Sequence, residues 1–172
     1  MACCEKVTNL VSEYLYRFLS DDVSCGSSQG AGLVVSNDAF EIDCVSYNPG
    51  DIGQLVQAKL LSGASDASEG LTSQIRLHFF SVDPGLVAGD TVATSFGFEY
   101  LGYVDFIDFY TVADSGTGLS FSISFAAFPD NFKGYLTPAL QSRVIYGVLQ
   151  NASGGTVDFT NKILKVELIF RK

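Results

Sequence analysis

The stretch Leu119-Ser120-Phe121-Ser122-Ile123-Ser124-Phe125 alternates apolar and hydroxyl side chains without a break. Successive side chains of an extended chain point to opposite faces, so this spacing predicts a half-buried strand with Leu119, Phe121, Ile123 and Phe125 on its apolar face. The same period of two recurs near the C-terminus, where Leu164, Val166, Leu168 and Phe170 alternate with Lys165, Glu167 and Arg171. It recurs again at Ile75, Leu77 and Phe79, interleaved with Gln74, Arg76 and His78. Further candidate strands are 32–36, 40–46, 54–61, 96–106 and 143–150. Turn signals separate them at Ser36-Asn37-Asp38, Asn48-Pro49-Gly50, Asp83-Pro84-Gly85, Ser115-Gly116-Thr117-Gly118 and Ser153-Gly154-Gly155. About eight one-sided strands predict a mainly β chain: an antiparallel β-sandwich or jelly-roll-like domain over residues 32–172, with two apolar sheet faces burying each other. The 14 phenylalanines supply most of the filling.

The first 22 residues carry a different pattern. Val7, Leu10, Val11, Tyr14, Leu15, Phe18 and Leu19 recur at the i, i+3, i+4 spacing of one helix face, which predicts an N-terminal amphipathic helical arm over 1–22. Glu5 near its start and Arg17 near its end suit the helix dipole. Residues 23–31, rich in Gly and Ser, are expected to form a flexible linker. An apolar stripe with two aromatics on a tethered helix has to be buried, either on its own chain or on a neighbouring subunit. In the second case these seven residues form the protein-interaction site, with Tyr14 and Phe18 as its anchors.

Composition sets the outer bounds. With 172 residues, 47% of them hydrophobic and 17% charged, the chain has material for one ordinary core and too much for a disordered tail. A net charge of −9 repels phosphate backbones and anionic lipid surfaces and argues against nucleic acid or membrane as partners. No apolar run approaches the roughly 18 residues of a membrane span. Met-Ala-Cys-Cys-Glu has no signal-peptide character, so the chain is expected to begin here and to stay in the cell that made it until assembly or lysis. Cys3, Cys4, Cys25 and Cys44 lack metal or redox spacing and read as free thiols, with a Cys25–Cys44 bridge left open.

Catalytic chemistry is sparse. Gly26-Ser27-Ser28-Gln29-Gly30 matches the G-x-S-x-G elbow, but it follows a helical pattern and could recruit only His78, the single histidine. That lone imidazole also rules out a multi-histidine metal cluster within one chain, and it reads as a solvent-facing or hydrogen-bonded strand residue. Asp105 and Asp108 are the most suggestive carboxylate pair for glycoside hydrolysis, yet the chain holds no Trp to stack on a sugar. Asp83 and Asp90 could contribute to a calcium site on loops. Asn151-Ala152-Ser153 fits a glycosylation acceptor. No cofactor is expected, and the chain reads as a non-enzyme.

Tyr47-Asn48-Pro49-Gly50-Asp51-Ile52-Gly53, then Gly70-Leu71-Thr72-Ser73-Gln74-Ile75 leading into Leu77-His78-Phe79-Phe80, resembles small virion proteins of tailed bacteriophages. Those proteins carry a G-D-x-x-G turn, a strand ending in an apolar pair and a later proline, here Pro84. The likeness continues through Tyr100-Leu101-Gly102-Tyr103-Val104, through Val144-Ile145-Tyr146-Gly147-Val148-Leu149 and into the strand from Leu164 to Phe170, covering residues 40 to 172. The helical arm departs from the family pattern. The resemblance implies a structural role on the capsid surface of a virion assembled in the host cytoplasm, as a capsid decoration or cement protein. Its expected partners are the major capsid protein or a neighbouring virion protein and further copies of itself, with a trimer as the expected symmetry. The alternative is a phage tail or baseplate component, or a carbohydrate-binding recognition module, in which loop aromatics such as Tyr47, Tyr110 or Tyr135 stack on sugars.

Overall fold

The computed structural model describes residues 5–9, 14–43, 45–46, 48–64, 71–92, 99–113, 120–160 and 162–171. Within them lie twelve strands: β1 (Glu5–Asn9), β2 (Tyr14–Leu19), β3 (Ser28–Gln29), β4 (Phe40–Ile42), β5 (Gly53–Ala64), β6 (Ile75–Phe80), β7 (Tyr100–Ala113), β8 (Ser120–Ala127), β9 (Tyr135–Leu136), β10 (Ile145–Asn151), β11 (Val157–Asp158) and β12 (Lys162–Arg171). The main sheet is antiparallel throughout and runs β1-β2-β12-β5-β8-β7-β6-β10-β4, with β9 extending the β5 edge beyond β8. β3 and β11 form a separate two-stranded ribbon. The expectation of a mainly β, antiparallel chain is met, but in place of the two facing sheets of a sandwich or jelly roll the main strands form one continuous sheet that curls nearly into a barrel.

Closure comes from the chain between β2 and β4. The amide of Val23 donates to Leu164 O at 2.7 Å, Gly26 N to Val35 O at 2.9 Å, Asn37 N to Ser24 O at 2.8 Å and Val35 N to Leu149 O at 2.8 Å. These bonds carry the sheet from β12 across residues 23–37 to β10. The segment read as a linker thus lies hydrogen-bonded against the body. Short of this closure, β2 and β4 diverge around a cleft of about 420 Å³.

The helix expected over 1–22 is not formed where the chain is described: Glu5–Asn9 and Tyr14–Leu19 are strands. β2 pairs with β12 in the register Leu19↔Glu167, Phe18↔Leu168 and Arg17↔Ile169. The sequence of β2 satisfies two templates, because Tyr16 and Phe18 also alternate with Leu15, Arg17 and Leu19. Aromatic residues favour strands, and the edge of β12 would otherwise present a row of unpaired backbone groups, so pairing wins over a free helix. Phe18 goes into the core at 1% exposure. The segment is a member of the sheet and no appendage.

Inside, Leu164, Val166, Leu168 and Phe170 of β12 and Ile75, Leu77 and Phe79 of β6 are fully buried in one cluster with Phe18, Ile42, Leu55, Val104, Phe106 and Leu149. β8 runs the other way. Ser122 and Ser124 are fully buried, while Phe125 is 52% exposed. The cause is the row each inward residue shares. Ser124 lies between Leu60 of β5 and Phe109 of β7, and Ala126 lies beside Phe106. A curled sheet narrows on its concave side, so large side chains on flanking strands require small ones between them. The row Gly147–Phe79–Gly102 across β10, β6 and β7 follows the same rule in reverse. There Phe40 and Phe132 lie over the two glycines. Among the described residues no helix is long and apolar enough to cross a membrane.

Candidate functional site

The outer surface of the barrel divides into two halves of different character. Over β6 and β10 it is covered by the chain itself, with Val34 and Leu86 packing on Phe80 and Val148. The covering loops are held by Val34 N to Asp90 O at 2.8 Å and Gly89 N to Val34 O at 2.9 Å. Beneath and beside this cover lies an array of polar side chains. Gln150 Nε2 donates to Gly32 O at 2.8 Å, which turns its Oε1 toward His78 Nε2 at 3.0 Å. His78 therefore carries its proton on Nε2, and its Nδ1 accepts from the Tyr100 hydroxyl at 3.0 Å. Burial lowers the His78 pKa to about 4, helped by the charge of Arg76 and opposed by the Gln150 bond. Burial likewise raises Tyr100 to about 12, which keeps it a donor. Beside them Arg76 forms a bidentate pair with Asp105, Nε to Oδ1 at 2.7 Å and Nη2 to Oδ2 at 2.9 Å, and its guanidinium lies 3.9 Å from the centre of the Tyr103 ring.

This arrangement spends its chemistry internally. Both nitrogens of His78 are engaged and the residue is 2% exposed, so it has no free lone pair for a serine or a substrate. Ser28 of the G-x-S-x-G stretch lies in β3, paired with Asp158 of β11. Asp105 is held by Arg76, and Asp108 stands exposed where the β7–β8 register shifts. Asp83 Oδ1 accepts from Gly85 N at 2.9 Å and Asp90 Oδ2 from Val87 N at 3.0 Å, so each carboxylate shapes its own turn. Among the described residues no three His, Cys, Asp or Glu side chains are grouped to hold a metal ion. Asn151 is fully buried and donates to Gln29 O and Gly155 O, which makes it a turn organiser in place of a glycan acceptor. Cys25 is a free thiol whose pKa burial raises to about 12, and Cys3, Cys4 and Cys44 lie outside the described residues.

The cleft between β2 and β4 is lined by Phe18 and Phe40 and by Asp21, Asp22, Asp38, Glu41 and Asp43. Lys165 reaches Asp22 at 3.0 Å from the neighbouring strand.

Among the described residues, the second half of the outer surface, over β2, β12, β5, β8 and β7, has no such cover. Leu61, Ile123 and Tyr110 fall in one cross-strand row, and Phe125 sits beside Lys59 in the next. Tyr110 is 67% and Ile163 41% exposed. Glu167 holds the middle of this face, bonded to Arg17 Nε at 3.0 Å and to Lys59 Nζ at 2.7 Å. Burial alone would raise the Glu167 pKa, but the bonds from Lys59 and Arg17 outweigh it and hold the carboxyl below its ordinary range.

Of the seven residues expected to form one interacting stripe, those whose side chains are described do not share one face. Leu10 and Val11 lie outside the described residues, Val7 is on β1 and Tyr14 on β2. Phe18 faces the core, whereas Leu15 and Leu19 stand on the open outer face. Of the aromatics considered for sugar stacking, Tyr110 and Tyr135 are exposed but lie in β7 and β9 instead of in loops, and Tyr47 is outside the described residues. The open face escapes a reading based on periodicity, because the alternation of β8 predicts Ile123 and Phe125 on the buried side. One signal does mark it: β5 and β8 contain no Asp or Glu, in a chain that has 19. No family model matches the chain, and no curated protein matches it.

Proposed function

We propose that this chain is a non-enzymatic structural protein of a tailed-bacteriophage virion, a capsid decoration or cement protein that docks on the lattice of the major capsid protein. The resemblance of residues 40 to 172 to small virion proteins supplies the setting. The observation that supports the role is the contrast between the two halves of the barrel: His78, Tyr100, Arg76 and Asp105 are locked in internal bonds, while among the described residues a broad sheet face with Tyr110, Phe125 and Ile163 stays open. A filled barrel of this kind acts through its surface. Weak single contacts suffice when many symmetry-related copies engage one lattice.

The test is to count and locate the protein on purified particles by quantitative mass spectrometry and antibody labelling. Hundreds of copies on the head are expected. A few to a few dozen copies at one vertex or on the tail would move the chain to the tail or baseplate, and its absence from intact particles would overturn the proposal.

A further inference from the structure

The open face of β12, β5, β8 and β7 has three properties that belong together. Its apolar side chains Tyr110, Phe125 and Ile163 are 67%, 52% and 41% exposed, in contrast to the covered half of the barrel, where Val34 and Leu86 seal Phe80 and Val148 from water. On β8 the inward positions are Ser122 and Ser124, so the strand's large side chains Ile123 and Phe125 have been placed outside. Finally, the strands that build the face are nearly free of negative charge. β5 and β8 carry no acidic residue, β12 carries only Glu167, which is neutralised by Arg17 and Lys59, and β7 adds Asp105, held by Arg76, and the exposed Asp108.

The third property selects the occupant. Two copies of a chain with net charge −9 repel each other over most of their surfaces. They can approach closely where that charge is missing, and the face is such a place. A strongly basic partner would gain little from it, because nearly all the free carboxylates it would seek lie elsewhere. We infer that this face binds a second copy of the chain, sheet against sheet about a twofold axis, with Phe125, Tyr110 and Ile163 of each copy at the contact. Such a pair differs from the trimer expected from the virion analogy, and it forms in the isolated protein whether or not a capsid is present.

The experiment is sedimentation velocity with light scattering on the full chain over a concentration series, in low and high salt. The wild type is expected to pair, more tightly as salt rises, since salt screens the repulsion between like-charged copies. Phe125→Glu and Tyr110→Glu are each expected to weaken the pair by ~10-fold and together by ~100-fold, with unchanged circular dichroism. Methyl NMR of the wild type needs no variant: resonances of Leu61, Ile123 and Ile163 are expected to shift between dilute and concentrated samples. A wild type that stays monomeric at concentrations far above micromolar overturns the inference. So does a pair that keeps its affinity in the folded double variant, or one whose shifts map to β4 or β1. The pair covers the face on which the virion reading also draws, and the two readings are separated by their readouts: the pair is read from the isolated protein, the virion role from copies counted on particles.

Discussion

Ser124 and Phe125 are neighbours on β8 that face opposite ways, the serine fully buried and the phenylalanine half exposed. The serine hydroxyl has no hydrogen-bond partner among the described residues. Burying an unpaired hydroxyl costs about 1–3 kcal/mol, and alanine fits the same narrow row. Ser124→Ala is therefore expected to raise stability by ~1 kcal/mol in urea unfolding. A loss of stability would mean that the hydroxyl is bonded and that the inward row is held differently.

His78 makes stability depend on pH in a defined window. Its pKa falls from the ordinary 6.5 to about 4 on folding, so the folded protein binds this proton less readily than the unfolded chain. Its contribution is complete above pH 6.5 and is lost as the pH drops toward 4, by about 3 kcal/mol in all. His78→Gln is expected to flatten that part of the profile. Proton NMR of the single imidazole checks the midpoint directly, and a titration near 6.5 would show the ring to be solvated.

Gly102 sits at φ 131°, and a Cβ there would stand 2.6 Å from the Phe132 ring. Both the backbone conformation and the close approach exclude a side chain. Gly102→Ala should cost about 2 kcal/mol or more, and combining it with Phe132→Leu should recover the steric part and leave the backbone part. Thermal unfolding of the two variants separates these contributions.

Deleting residues 1–22 is expected to destabilise the whole body. The deletion removes Phe18 from the core and uncovers the edge of β12, and loss of a buried phenylalanine alone costs about 3–5 kcal/mol. A truncated chain with an unchanged melting temperature would restore the picture of a dispensable arm.

Much of this architecture is legible in the sequence. The alternation in β6 and β12 gives both the strand and its buried face, because the inward residues are the large apolar ones and nothing opposes that choice. At β8 the alternation gives the strand but not the face. A period of two is the same read from either side, and the choice is made by Leu60 and Phe109, which lie far away in the sequence. At β2 two periods fit the same residues, and the tie is broken by an edge of β12 about 150 positions later. The bonding of His78 was hidden for the same reason: Tyr100 and Gln150 lie 22 and 72 positions away along the chain. Local pattern fixes what each segment is, and distant neighbours decide which way it turns.

The position of β12 has a mechanical consequence. It is clasped on both flanks, by β2 and by β5, whereas among the described residues β1 pairs with β2 alone. Tension applied through β1 peels the sheet one ladder rung at a time, first β1 and then β2. Tension applied through β12 has to shear two ladders at once. A load that enters through β12 would therefore strain this protein least.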